Sequence, residues 1–202
     1  TFKKLLQKLD GRKLQAISLA NTYAQYAMHE DALKVYFLSE KINPKANFGI
    51  QKAQLYAHLG KADLMIGQYF EVLLQQPNQK PMIMSQVQRF LDNDGIKSDK
   101  NYKLVKNALL PYVRAEDNRT DFSEMLIWLF MQNAQYEMAL RQAKALDKRT
   151  NAEGEGVFDL GESFLDKKHY QLAVQAYDYV LGKGKRNFLF VNANINKLYA
   201  LT

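Results

Sequence analysis

Apolar side chains recur along this chain at intervals of three and four, not two. In LGESFLDKKHYQLAVQAYDYVL, residues 160–181, Leu160 and Phe164 mark one helical stripe and Tyr170, Ala173 and Tyr177 a second, with the Lys167-Lys168 pair between them. That spacing aligns side chains on one side of a helix with 3.6 residues per turn, so the stretch predicts two helices and a tight turn. The strand-favouring signature of alternating apolar and polar residues is weak along the chain, so no strand is predicted. Gly161 lies on the apolar side of the first helix, where glycine costs about 1 kcal/mol relative to alanine. A close contact that tolerates no side chain is the expected compensation.

The landmarks recur. Leu160, Gly161, Phe164, Tyr170, Ala173 and Tyr177 have counterparts 34 residues upstream in Leu126, Ile127, Phe130, Tyr136, Ala139 and Ala143. Leu19, Ala20, Tyr23, Ala32, Tyr36 and Pro44 fit the same ruler, and Ala53, Tyr56, Tyr69 and Pro77 follow 33 residues later. The pattern describes a helical hairpin. A small residue of the first helix (Ala20, Ala53, Gly161) faces a small residue of the second (Ala32, Ala173), which lets the axes approach, and aromatic rings fill the wedge beyond. Pro44 and Pro77 stop second helices, while HLGK (58–61) and LDKKHY (165–170) are turns inside hairpins. The stretch KPMIMSQVQRFLDNDG, from residue 80, breaks the pattern: Pro81 suits a helix start and DNDG a stop. Ser98 or Asp99 then caps a helix that Pro111 is expected to end or kink near Leu110. From residue 187, NFLFVNANINKLYALT reads as the first helix of a sixth unit with no polar cap, so the native protein is expected to continue.

These residues resemble the tetratricopeptide repeat, a helical hairpin whose signature runs Leu-Gly-x-x-Tyr, then Ala-x-x-x-Phe, then Pro. LGESF with AVQAY, in residues 160–177, is the nearest copy; LANTY, ALKVY and INP, in residues 19–44, form the most complete one. Lys52 departs from the first leucine of its unit, Ile127 from the small residue, and Ala143 from the aromatic. The resemblance implies an all-α fold, a right-handed superhelix (α-solenoid) of antiparallel helix-turn-helix hairpins, about five pairs plus an extra terminal helix. Units are expected near 13–46, 46–79, a degenerate 80–119, 120–153, 154–187, and the start of another at 188–202.

Composition narrows function more than fold. With 202 residues and 47% hydrophobic content the chain can bury a core. It has no cysteine, which excludes a disulfide framework and thiolate metal sites and leaves the compartment open, with a lean toward an exported, periplasmic setting. The apolar run MLIWLFM (125–131) is far short of the roughly 20 residues that span a bilayer. The formal charge of +7 is spread as single Lys and Arg on helix faces, with clusters only at Lys3-Lys4, Lys167-Lys168 and residues 183–186, and reads as solvated surface. His29, His58 and His169 have no second imidazole within helical reach and read as solvated turn residues. GEG (154–156) and GKGK (182–185) lack the strand that precedes a phosphate loop, and no nucleophile elbow is present. Asn118-Arg119-Thr120 matches a glycosylation sequon, a pattern too short to carry weight. No catalytic residue, cofactor or metal site is expected.

If the resemblance holds, first helices line an inner, concave surface that grips extended peptides or helices of partner proteins. The candidate groove residues are Asn21, Gln25, Gln54, His58, Glu124, Trp128, Phe158, Glu162 and Asp166. They run from neutral and amide-rich to acidic with aromatic anchors, which favours a basic or apolar partner at the C-terminal half. Asn21 matches an asparagine that clamps a partner's C-terminal carboxylate in some members of the family, but Ile17, Asn47 and Gln51 stand where the completing groups belong. The expectation is a non-enzymatic protein-protein interaction scaffold. Two alternatives remain: RNA binding by a related helical repeat, disfavoured because groove acids repel phosphate, and a regulatory or docking segment of a larger multidomain protein.

Overall fold

The computed structural model of the chain describes residue 6 and residues 9–92, 99–115 and 119–202. Most of the N-terminal TFKKLLQKL segment, the DNDG stop beyond Asp92, the Ser98 cap and the Asn118 sequon lie outside them. Among the described residues there are eleven α-helices and no strand. The hairpins are α1 (Lys13–Gln25) with α2 (His29–Ile42), and α3 (Gly49–His58) with α4 (Ala62–Gln75); a 3-10 turn, Pro77–Gln79, leads into α5 (Lys80–Asp92). After α6 (Asp99–Arg114) come α7 (Asp121–Gln132) with α8 (Tyr136–Thr150) and α9 (Glu155–Asp166) with α10 (Tyr170–Leu181), and α11 (Phe190–Leu201) packs on α10. Two compact units result, Thr1–Phe90 and Leu91–Thr202. The stretch that departs from the ruler therefore gives α5 mainly to the first and α6 to the second.

The four hairpins turn in one way. Ala27, Gly60, Ala134 and Lys168 hold left-handed φ values of 58°, 69°, 54° and 62°. The next residue's N–H then reaches back to an aromatic of the first helix. Met28 donates to Tyr23 O at 3.0 Å, Lys61 to Tyr56 O at 2.9 Å, Gln135 to Phe130 O at 2.9 Å and His169 to Phe164 O at 2.8 Å. This is the Schellman arrangement, which satisfies carbonyls that a helix end leaves orphaned. Second helices stop as expected at Pro44 and Pro77, with Asn43 and Gln76 as their C-caps. Pro111 behaves otherwise: α6 runs through it to Arg114. Its missing N–H forfeits a single intrahelical bond near the helix end, where few turns remain to lose.

The landmarks form the cores. Ala20, Tyr23, Ala32, Tyr36, Ala53, Tyr56 and Tyr69 are buried in the first unit, and Leu126, Phe130, Leu160, Phe164, Ala173 and Tyr177 in the second. Gly49 is a second close approach, since a Cβ there would collide with Val72 Cγ2. Lys52, which replaces a core leucine, is buried but paired, its Nζ 2.8 Å from Glu40 Oε2. Glu40 Oε1 also accepts the Phe48 N–H that opens α3, at 3.2 Å. Asp147 repeats this device on α8. It accepts the Gly154 N–H at 2.8 Å and binds Lys183 at 2.6 Å, so each carboxylate has a cation and a backbone donor.

Candidate functional site

Within the Leu91–Thr202 unit, α7 and α9 flank a cavity of about 380 Å³ that is backed by α8. Its floor is apolar: Ile127 from α7, Ala143 and Leu146 from α8, and Val157 and Leu160 from α9. Glu124, Asp159, Ser163 and Thr120 bring polar groups to the same walls. Two of its lining residues, Ile127 and Ala143, stand at departures from the repeat. One hairpin later, Gly161 leaves room for the Tyr177 ring: a Cβ on Gly161 would lie 2.7 Å from Tyr177 Cε1 and 3.2 Å from the Ala176 Cβ. In the earlier hairpin the corresponding residues are Ile127 and Ala143. Here the larger residue is on the first helix and the smaller on the second, the reverse of Gly161 and Tyr177, and both face the cavity. The close contact that compensates for Gly161 is thus with Tyr177 and Ala176, the nearest side chains to it, four and three residues beyond the Ala173 that its spacing suggests.

Charge is concentrated on α9. Glu155, Asp159, Glu162 and Asp166 recur at intervals of four, three and four, so they form one stripe along its exposed face. None of the four makes an ion pair among the described residues. Asp147, which also lines the cavity, is different: it is buried, neutralised by Lys183 and held by the Tyr179 hydroxyl, which donates to its Oδ2 at 2.7 Å. Burial, with that carboxylate beside it, pushes the Tyr179 phenol up to about 12. Lys144 lies over the Tyr179 ring at 5.5 Å and donates to Gln175 O at 3.0 Å, and burial pulls its ammonium down. Asp147 is thus tied to α10 and to Lys183 beyond it, while the α9 carboxylates face solvent.

The expected groove residues divide accordingly. Glu124 lines the cavity, and Trp128 lies one turn further along α7, half-buried. Glu162 and Asp166 are exposed beside Asp159. Phe158 is not on an open wall: it is 7% exposed and packs on Tyr177, with ring centroids 5.6 Å apart. Asn21, Gln25, Gln54 and His58 are exposed on α1 and α3 of the other unit. There His58 stacks on His29 with centroids 4.9 Å apart and planes 10° apart, and in the second unit His169 packs against Tyr136 at 4.3 Å. The histidines are therefore ring contacts between helices, which spacing within one helix cannot disclose. Of the residues that line the cavity, sequence reasoning named only Glu124 as a groove residue; Asp159, Ile127 and Ala143 are among those it did not place there. The 4-3-4 spacing of the α9 acids was the available signal for Asp159. Among the described residues no group of three or more His, Cys, Asp or Glu is arranged to hold a metal ion, and no helix is long and apolar enough to cross a membrane.

No family model and no curated protein matches the chain. Solved structures similar to it include two described as TPR proteins. A thermophilic TPR protein of Thermus thermophilus is 13% identical, with a TM-score of 0.40, over 94% of this chain and 99% of that one. YrrB, described as a TPR protein with an unusual peptide-binding site, is 14% identical with a TM-score of 0.42, over 96% and 98%. PilF of Pseudomonas aeruginosa is 16% identical with a TM-score of 0.38, over 92% and 86%. By its 33- and 34-residue spacing, its shared hairpin turn and its close helix crossings, the chain is built of tetratricopeptide-like helical hairpins.

Proposed function

We propose that this chain is a non-enzymatic protein-interaction scaffold and that the α7–α9 cavity takes an apolar side chain from a basic segment of its partner. The observation that carries this reading is an apolar-floored cavity beside a stripe of carboxylates with no cation of their own among the described residues. A leucine or phenylalanine side chain fits such a floor, and burying it contributes about 1.5–3 kcal/mol. Flanking lysines or arginines would meet Asp159, Glu155 and Glu162 at the rim, where charge sets orientation and on-rate more than affinity. An RNA reading needs cations along the first helices. The α9 face offers acids in their place, which would repel phosphate.

Trp128 is the only tryptophan and stands one turn from Glu124, so its emission reports on the site. Titration with a short peptide carrying leucine between lysines is expected to give a saturable change that weakens with added salt. The same peptide with glutamates in place of lysines is expected to give none. Equal responses to both, or no response to either, would overturn the reading.

A further inference from the structure

The side of α8 that meets α10 carries positive charge that the neighbouring carboxylates do not match. Arg141, Lys144 and Lys148 follow one another at intervals of three and four, which puts them in one stripe over about 10 Å of the helix axis. None of the three makes an ion pair among the described residues. Lys144 is half-buried: its Nζ donates to Gln175 O of α10 at 3.0 Å and stands 5.5 Å from the centre of the Tyr179 ring. Lys183, from the connector after α10, approaches the same ring at 5.4 Å. Two ammonium groups from different elements thus share one phenol. Asp147 and Asp178, the carboxylates beside them, are already taken, by Lys183 at 2.6 Å and by Lys197 at 2.6 Å. Burial pulls the Lys144 ammonium down; Asp178 opposes this and Lys148 adds to it. Like charges held together at the edge of a partly dry surface are costly, and a bound anion relieves that cost.

We propose that this face binds an extended, acidic segment of a partner protein, whose carboxylates pair with Lys144 and Lys148. Alternate side chains of an extended segment lie about 6.6 Å apart on one side, close to the rise of about 6 Å between those two lysines. Glutamates or aspartates at every second position therefore meet both ammonium groups. The stripe is short, and Glu137, four residues before Arg141, gives it an acidic edge. Such a length suits two or three carboxylates, whereas a nucleic-acid strand draws its affinity from a longer run of phosphate contacts. Lys185 and Arg186, both exposed in the connector after α10, add a field of the same sign. The acids of α9 form a separate stripe of opposite charge, so this unit presents one face to a basic segment and another to an acidic one.

Fluorescence anisotropy of a labelled peptide that alternates glutamate and glycine, titrated with the 202-residue chain at low salt, tests this. Saturable binding that weakens with added salt is expected. Lys144→Gln with Lys148→Gln should lower the affinity at least about tenfold. Lys41→Gln with Lys45→Gln removes the same charge from the Thr1–Phe90 unit and should leave the affinity unchanged. Lys144 also donates to Gln175 O, so Lys148→Gln alone, at an exposed position, should weaken binding without moving the thermal unfolding midpoint. A peptide that does not bind overturns the proposal. An equal loss in both double variants overturns it as well, since net charge alone would then account for the binding. A labelled oligothymidylate that binds through Lys144 and Lys148 more tightly than the peptide also overturns it, and gives the face to nucleic acid.

Discussion

The hairpins α7/α8 and α9/α10 follow one another in a single compact unit and share spacing, turn and core, yet they solve the same crossing oppositely. In the later one, Gly161 admits Tyr177, and Phe158 closes the flank of the ring. In the earlier one, Ile127 takes the place of the glycine, Ala143 that of the tyrosine and Glu124 that of the phenylalanine. One crossing is filled and apolar; the other is open, and a carboxylate stands at its edge. A repeat can thus keep its hairpin turn while exchanging large and small residues between facing helices, and the exchanged pair lines a cavity.

The comparison breaks most severely at Tyr177. Tyr177→Ala should cost about 3–5 kcal/mol, the range for removing a buried aromatic, read by urea unfolding. Ala143, at the same repeat position, has no ring to lose.

Next is Gly161→Ala, whose new Cβ would meet Tyr177. A loss of about 1–3 kcal/mol from overpacking is expected, offset in part by alanine's better helix propensity. Gly156→Ala, on the same helix but with nothing within 4 Å of its Cβ, should instead stabilise by up to about 1 kcal/mol. If both substitutions had the same sign, the contact argument for Gly161 would fail.

Alkaline titration separates the hairpins more gently. The Tyr179 phenol is raised from 10.0 to about 12 in the folded chain, so the unfolded chain loses that proton first. Its contribution is fully present below about pH 10 and lost as pH rises toward about 12. Tyr179→Phe should flatten that part of the stability profile. An unchanged profile would show that Asp147 and burial do not hold the phenol.

The smallest effect lies in the turns. Lys168→Gly and Ala134→Gly should each stabilise by no more than about 1 kcal/mol, because glycine meets no Cβ penalty at positive φ. Thermal unfolding of Gly60→Ala should shift in the opposite direction.

What the sequence discloses follows from how far each signal reaches. Spacing within a hairpin is local, so the turns near Gly60 and Lys168, the stops before Pro44 and Pro77, and Gly161 as a position intolerant of a side chain were all legible. Which residue a small position meets depends on how two helices are rotated about their axes, and one turn of error exchanges Ala173 for Tyr177. The same uncertainty placed Phe158 on a wall when it is core. Ile127 and Ala143 each weakened the repeat pattern when taken singly; only the folded helices show that both line one cavity. Partners brought together between hairpins, such as His29 with His58 or Lys52 with Glu40, carry no spacing signature at all.

The open crossing as a binding site is tested most directly by filling it. Ile127→Gly with Ala143→Tyr rebuilds the later hairpin's packing in the earlier one, and the leucine-lysine peptide is titrated against it while Trp128 emission is followed. Helical circular dichroism and a single unfolding transition should persist, and peptide affinity should fall at least about tenfold, equivalent to about 1.4 kcal/mol. Binding as tight as that of the original chain, in a variant that remains folded, would contradict the account.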